Sequence, residues 1–354
     1  MTKILFVYRT KRNEMLKQAL EKTGPDHFLY GLTYLKKLGY DVDYSDLFYN
    51  LPLIRYFFWP IEQLIIKITS IGFKLDQAIV LTPKAIKSDV IITTVDSAGL
   101  PFLLLKKLKI IKKPIIYIST GLINEMVKRK KSLMTSFYKF LLAEASIIIC
   151  HSPMEKEQFT KLRPGLKSKI YFIPFGIDVA FFIDSKRATG NSIVSIGKDR
   201  SRDYKLIANV AIRLPSEKFI IVTDPSNIKG IKFAKNVSIY FNLPYDKIKN
   251  LYNSSKLVFI PLNELNRAIG QVNFLESLAT RNNVVISKVK GITECYPDLI
   301  KLKNVFLFRA GDSLDSVEKI KKSLKRHVNN YLPASKYNSK NYARQLASIL
   351  REIL

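Results

Sequence analysis

Cysteine, histidine and carboxylates are scarce in this chain, and each shortage closes a route. Its 354 residues include 2 cysteines and 3 histidines. Cys150 and Cys295 lie far apart in no metal-binding spacing, so neither a disulfide scaffold nor a structural zinc site is expected. Such usage fits a reducing compartment. No Ser-His-Asp set or metal cluster emerges. Gly/Ser-rich runs and solenoid periods are also missing, which excludes low-complexity and repeat architectures. Met1-Thr2-Lys3 leads directly into a strand-like run, so no signal peptide is expected.

Acidic residues number 29 against 58 Lys+Arg, a formal charge of +29. Residues 1–177 hold 28 basic and 14 acidic side chains, and the remainder 30 and 15, so the basicity is global. It implies an anionic partner: nucleic acid, anionic lipid or phosphorylated substrates. No RNA-binding motif, helix-turn-helix pattern or zinc finger is present, so nucleic acid is not the expected partner. An apolar content of 47% is that of a globular protein, and the length fits two domains.

Strand and helix signals alternate in the first half. Ile4–Tyr8, Tyr40–Tyr44, Val90–Thr94, Ile115–Ser119 and Ile147–His151 read as strands, mostly buried and parallel. His27–Leu38 reads as an amphipathic helix ending at Gly39, and Ser152-Pro153 as a helix start. The second half repeats the style with strands at Ile193–Ile196, Phe219–Val222, Val237–Tyr240 and Leu257–Ile260, and helices at Pro244–Asn253 and Gly270–Thr280. This pattern predicts two Rossmann-like, doubly wound α/β halves with a ligand in the cleft at their strand C-termini. Ser339–Leu354 reads as a final helix.

The segment Leu51–Ile71 stands apart. It is rich in Ile and aromatics, but Arg55, Glu62 and Lys67 fall inside it and Pro60 is expected to break it, so it does not read as a transmembrane helix. Two readings stay open: a helix lying in a membrane interface, or one packed on the first sheet. The clusters Lys106, Lys107, Lys109, Lys112, Lys113 and Lys128-Arg129-Lys130-Lys131 favour the membrane.

Gly270-Gln271-Val272-Asn273-Phe274-Leu275-Glu276-Ser277-Leu278-Ala279 carries the chemistry. A glycine turn feeding a helix start offers amides and partial positive charge to a phosphate. Glu276 lies about a turn and a half inside that helix, placed to accept from hydroxyls. Upstream stands Tyr171-Phe172-Ile173-Pro174-Phe175-Gly176-Ile177-Asp178, followed by Phe181 and Phe182.

Together these motifs resemble retaining GT-B glycosyltransferases of the group-1 (family 4) class. There a Glu-Gly-x-Gly, four more positions and Glu-Ala-x-Ala follow an earlier Pro-x-Gly-Ile/Val-Asp-x-x-x-Phe. The resemblance covers nearly the whole chain and implies the GT-B fold. It implies an N-terminal acceptor-side domain over 1–184, with the linker near Phe182–Asn191. A nucleotide-sugar domain over 185–336 and a helix over 337–354 returning to the first domain would follow. Gly197-Lys198-Asp199-Arg200-Ser201-Arg202-Asp203-Tyr204 is similar to the family's Gly-Arg…Arg-Asp-Tyr loop, which implies Lys198 and Arg202 on the donor diphosphate beside Gly270, Gln271 and Val272. Cations there stabilise the leaving diphosphate. The resemblance places Glu276 on the ribose, and Leu243 and Pro244 at the base. Lys198 replaces the family's Arg, keeping charge but losing the fork. Ala268 stands where the first motif Glu is expected, and Glu264, on the preceding loop, is the carboxylate that could reach in, although no motif places it there.

No catalytic residue is assigned. His27 and Glu125 are candidates, and the cleft-facing loops hold Thr10, Lys11, Arg12 and Asn13, and Ser119-Thr120-Gly121. No metal or cofactor is expected, the nucleotide-sugar being a co-substrate, and the family's chemistry needs no dedicated nucleophile. The expected activity is metal-independent hexosyl transfer with retention to an acceptor hydroxyl, on a glycan or lipid-linked glycan. The protein is expected in the cytoplasm, at the inner face of an anionic membrane. The alternative is a catalytically degenerate GT-B subunit that binds a membrane or a partner. A nucleotide-sugar epimerase would share the fold, but fits the motif pair less well.

Overall fold

A computed structural model describes residues 1–45, 52–129, 132–183, 190–326 and 336–354. Contacts divide the chain into two compact units. Unit 1 comprises Met1–Lys17, Phe28–Pro174 and Tyr342–Leu354, and unit 2 comprises Gln18–His27 and Phe175–Asn341. Of the linker expected near Phe182–Asn191, residues 184–189 lie outside the described residues, as do Leu51, Lys130 and Lys131.

Unit 1 is built on six strands: β1 (Lys3–Val7), β2 (Asp41–Tyr44), β3 (Val90–Thr93), β4 (Ile115–Ile118), β5 (Ile147–Cys150) and β6 (Ile170–Phe172). They form one parallel sheet in the order β2-β1-β3-β4-β5-β6. Strands covered on both faces need apolar side chains at every position rather than at alternate ones. Val90–Thr93, Ile115–Ile118 and Ile147–Cys150 are accordingly buried throughout. The connecting helices are α1 (Asn13–Leu20, counted with unit 1 as far as Lys17), α2 (Leu32–Lys37), α3 (Pro52–Thr69), α4 (Leu75–Lys87), α5 (Asp96–Lys107), α6 (Leu122–Lys128), α7 (Leu133–Leu142) and α8 (Pro153–Leu162).

Ser152 caps α8 by accepting from the Glu155 amide, with Pro153 at the first helical position. The expected helix over His27–Leu38 is interrupted. A 3₁₀ turn spans His27–Leu29, and α2 starts after Gly31, whose φ of 83° is left-handed. Ala343 Cβ lies where a side chain on Gly31 would go. Gly39 does follow the helix with φ 90°.

Pro60 does not break α3 as expected: the helix runs through it from Pro52 to Thr69. Proline removes one backbone donor and crowds the preceding turn, but leaves the bonds on either side intact. Among the described residues, no helix is long and apolar enough to cross a membrane.

Unit 2 contains β7 (Ser192–Ile196), β8 (Lys218–Thr223), β9 (Val237–Phe241), β10 (Ser255–Ile260), β11 (Val284–Ser287) and β12 (Val305–Phe308). These strands form a parallel sheet in the order β12-β11-β10-β7-β8-β9. Counted from its own first strand, that order is 6-5-4-1-2-3, with the direction of winding reversing between β7 and β10. Ligands of such sheets bind at the carboxyl ends of the strands flanking that reversal. The helices of unit 2 are α9 (Val179–Phe182), α10 (Tyr204–Arg213), α11 (Tyr245–Asn253), α12 (Gln271–Ala279), α13 (Lys290–Thr293) and α14 (Ser313–Leu324). A last helix, α15 (Ser339–Ile353), contributes Tyr342 onward to unit 1.

Candidate functional site

The loop leaving β7 and the loop leaving β10 meet at the reversal point of unit 2. Arg202 and Leu262 form an antiparallel bridge, Asp203 N–H donates to Pro261 C=O (3.1 Å) and Asn263 N–H to Ser201 C=O (2.9 Å). This lacing sets the first loop against the start of α12.

Arg202 is its central side chain. It is 4% exposed, and its Nη2 donates to Asn273 Oδ1 at 2.7 Å. Nε and Nη1 are buried with no hydrogen-bond acceptor among the described residues. No carboxylate of those residues comes within ion-pair distance of it, so a buried cation is left with unused donors. Gly197 allows this placement, because any Cβ there would collide with the guanidinium. Burial presses the Arg202 pKa down, with Tyr204, Tyr252 and Asp199 opposing.

Gly270 caps α12 in the left-handed region, at φ 67°. Its hydrogen faces the Leu262 side chain, where a Cβ would clash. The first helical bond is Phe274 N–H to Gly270 C=O (3.0 Å), so the amides of Gln271, Val272 and Asn273 lie ahead of the helical ladder.

Glu276 sits on the same helix and is 1% exposed. Its Oε2 accepts from Tyr252 Oη (3.0 Å) and Asn273 Nδ2 (3.5 Å). Asn273 therefore joins Arg202 to Glu276 through the two ends of one amide. On the other side, Glu276 Oε1 lies 3.6 Å from His27 Nε2, both belonging to unit 2. Burial pushes Glu276 up to about 8, against the bonds from Tyr252 and Asn273. Burial also lowers His27 to about 3. At neutral pH the contact therefore joins an imidazole to a carboxylic acid, although its distance would suit an ion pair. The His27 ring packs edge-on against Phe175 and Tyr245, and tilted against Phe182.

Lys198 is half exposed, with Nζ donating to Asn242 Oδ1 (2.9 Å) and lying 4.0 Å from Asp224. Asp199 accepts from Arg267 Nη2 on both oxygens (2.9 and 2.8 Å) and from Ser201. Burial alone would raise the Asp199 pKa, but Arg267 and Ser201 outweigh it and hold it below the usual carboxylate range. Glu264 accepts from the Lys290 amide on both oxygens (3.2 Å each) at the start of α13. No carboxylate occupies position 268, which is alanine. Leu243 packs against the unit 2 core, and Pro244 is the exposed residue preceding α11.

His27, Arg202, Gly270 and Glu276 are thus in one unit, with Lys198, Leu243 and Pro244 on its neighbouring loops. Glu125 is in unit 1, accepting from Lys128 Nζ (3.1 Å) and Asn124 Nδ2 (3.0 Å). In that unit the Ser119-Thr120-Gly121 turn is held by Asp96, a residue the motifs did not single out. Asp96 accepts from Tyr117 Oη (2.5 Å), Thr120 Oγ1 (3.1 Å) and the Leu122 amide (2.9 Å). Arg12 lies over the Tyr8 ring. The side chains of Asn273 and Tyr252 were also missed. Asn273 was legible, since three residues before Glu276 is the same helix face.

No protein-family model matches the chain, and no curated protein matches it in sequence. Solved structures do resemble it. Anabaena HepE in complex with UDP-glucose has a TM-score of 0.67 at 15% identity, covering 99% of this chain and 100% of that one. Sucrose-phosphate synthase from Thermosynechococcus elongatus has a TM-score of 0.69 at 12% identity, covering 99% of each chain. Trehalose-6-phosphate synthase from E. coli, bound with UDP-2-fluoro glucose, has 0.68 at 11%, covering 100% of each. At these identities the likeness establishes the fold: the chain is an α/β protein with the two-domain GT-B fold.

Proposed function

We propose that this chain is a retaining, metal-independent hexosyltransferase that uses a nucleoside diphosphate sugar. The observation that carries the reading is the Arg202 guanidinium, buried beside the start of α12 with two unused nitrogens. A diphosphate would supply the missing acceptors and charge, and its departure would be stabilised by Arg202, Lys198 and the α12 amides. Glu276 would accept the ribose hydroxyls after Oε1 turns from His27, and Leu243 and Pro244 would border the base. In this reading positive side chains and helix amides supply the stabilisation, and no metal is required. The similar structures holding UDP-glucose and UDP-2-fluoro glucose make uridine donors the first to try. The global charge supports an acceptor at the anionic inner face of a membrane, a lipid-linked or other glycan.

The test is thermal stabilisation by UDP, GDP, ADP, CMP and dTDP in EDTA, followed by transfer assays with the matching sugars. Stabilisation by one diphosphate, lost in Arg202→Ala and Glu276→Ala, is expected. The anomeric configuration of the product, read by NMR, tests retention. If no nucleotide stabilises the protein, the transferase reading fails. A second reading then takes over: a degenerate GT-B subunit, favoured by Ala268 and by Glu264 being engaged at Lys290.

A further inference from the structure

Helix α3 carries its polarity the wrong way round. Ile54, Phe58, Glu62, Ile65 and Thr69 form its sheltered stripe, with Ile65 against the unit 1 core. Glu62 is the only acidic residue of the helix, and it points inward, 2.7 Å from Lys74 Nζ. The outward face holds Leu53, Tyr56, Phe57, Trp59, Leu64 and Ile68, with Tyr56 84% and Phe57 73% exposed. A helix on a soluble domain normally buries its apolar stripe and shows its charges. Here the exposed charges of the helix are Arg55 and Lys67, both positive. At its C-terminal end Arg129 donates to Ile68 C=O and reaches Ser70 Oγ, with Lys128 beside it. The face is thus apolar and aromatic with a cationic edge, and shows no carboxylate of its own.

We infer that α3 docks on an anionic lipid bilayer, lying in the interfacial plane. Tyr56, Phe57, Trp59 and Leu64 enter the headgroup–acyl boundary, while Arg55, Lys67 and Arg129 meet lipid phosphates. Charge chooses this occupant over a second copy of the chain, since two molecules of +29 repel each other and an anionic bilayer attracts them. The inference rests on the membrane part of the preceding proposal and is independent of its chemistry.

Trp59 is the sole tryptophan of the chain and stands on this face, so its emission reports docking without a label. The full chain is titrated with vesicles of phosphatidylcholine alone and of phosphatidylcholine mixed with phosphatidylglycerol, without donor or acceptor. A blue shift and co-sedimentation with the anionic vesicles only, weakened by salt, are expected. The exposed-site double variant Phe57→Ser/Leu64→Ser should keep the wild-type Tm and bind these vesicles about tenfold less tightly or worse. Arg55→Gln/Lys67→Gln should lose selectivity for phosphatidylglycerol. Unchanged Trp59 emission overturns the inference. So does full vesicle binding by Phe57→Ser/Leu64→Ser, which would assign binding to global charge, or a lipid-free shift that grows with protein concentration, which would assign the face to a second copy. Stabilisation by UDP, measured on the same samples, is untouched by these outcomes, so the two proposals fail separately.

Discussion

His27 Nε2 stands 3.6 Å from Glu276 Oε1, and burial keeps both groups neutral at pH 7. Their contributions to stability run in opposite directions with pH. Glu276 titrates at about 8 in the fold against 4.5 outside it, so its contribution is present below pH 4.5 and lost as pH rises through 8. His27 titrates at about 3 against 6.5, so its contribution is present above pH 6.5 and lost as pH falls through 3. From pH 4.5 to 6.5 the two slopes cancel, and from 6.5 to 8 only the Glu276 loss remains. Glu276→Gln should remove that alkaline loss, about 1.4 kcal/mol per pH unit while it lasts, and His27→Phe the acid-side loss. Chemical denaturation of wild type and both variants across this range checks it; parallel curves would refute the two shifted titrations.

Arg202→Met should separate binding from folding. A buried cation with one partner contributes little to stability, so the apolar replacement should leave the unfolding free energy within about 1 kcal/mol or raise it. Nucleotide affinity should fall by roughly 100-fold, as when a charge-assisted contact is lost. Calorimetric titration with UDP beside a urea melt reads both. Equal loss in the two would make Arg202 structural.

Gly270→Ala should destabilise unit 2 by about 1–3 kcal/mol, because the new Cβ meets a left-handed backbone and the Leu262 side chain. Gly39→Ala, also left-handed but with open space around it, should lose about 1 kcal/mol. Urea midpoints of the two variants test whether the close approach adds to the backbone strain.

The Glu62–Lys74 pair predicts a non-additive cycle. Lys74→Met leaves a buried carboxylate without its cation and should destabilise by about 3 kcal/mol or more. Adding Glu62→Leu should recover most of that loss, since an apolar pair suits the site. Additive single effects in a double-mutant cycle would argue against the contact.

Strands were the legible part of this fold. A strand buried on both faces must be apolar at every position, as Ile147-Ile148-Ile149 is, and no helix-period stripe competes with that signal. Helix α5 escaped for the same reason in reverse. Asp96 to Phe102 are buried without interruption, so α5 shows no polar face to betray its period. Proline weighed too heavily at position 60, where local propensity yielded to packing of the inner stripe. At the candidate site, Arg202, Gly270 and Glu276 were readable because loop, turn and helix follow each other along the chain. The meeting of His27 with Glu276 was not, since no local pattern records a contact between residues from opposite ends of the sequence.

Helix α15 has a consequence for synthesis. It is translated after every described strand of unit 2, yet Ala343, Leu346 and Leu350 are buried and Tyr342 onward belongs to unit 1. Its Ala343 lies against Gly31, Tyr342 against the rings of Tyr30 and His151, and Glu352 accepts from Tyr171 Oη. The segments of unit 1 that precede unit 2 therefore wait for a helix made after the strands of unit 2, and the nascent surface around Tyr30 and His151 stays open until α15 has emerged. A translational pause between the two units cannot complete the first of them, and while it lasts that open surface is where a chaperone would engage the chain.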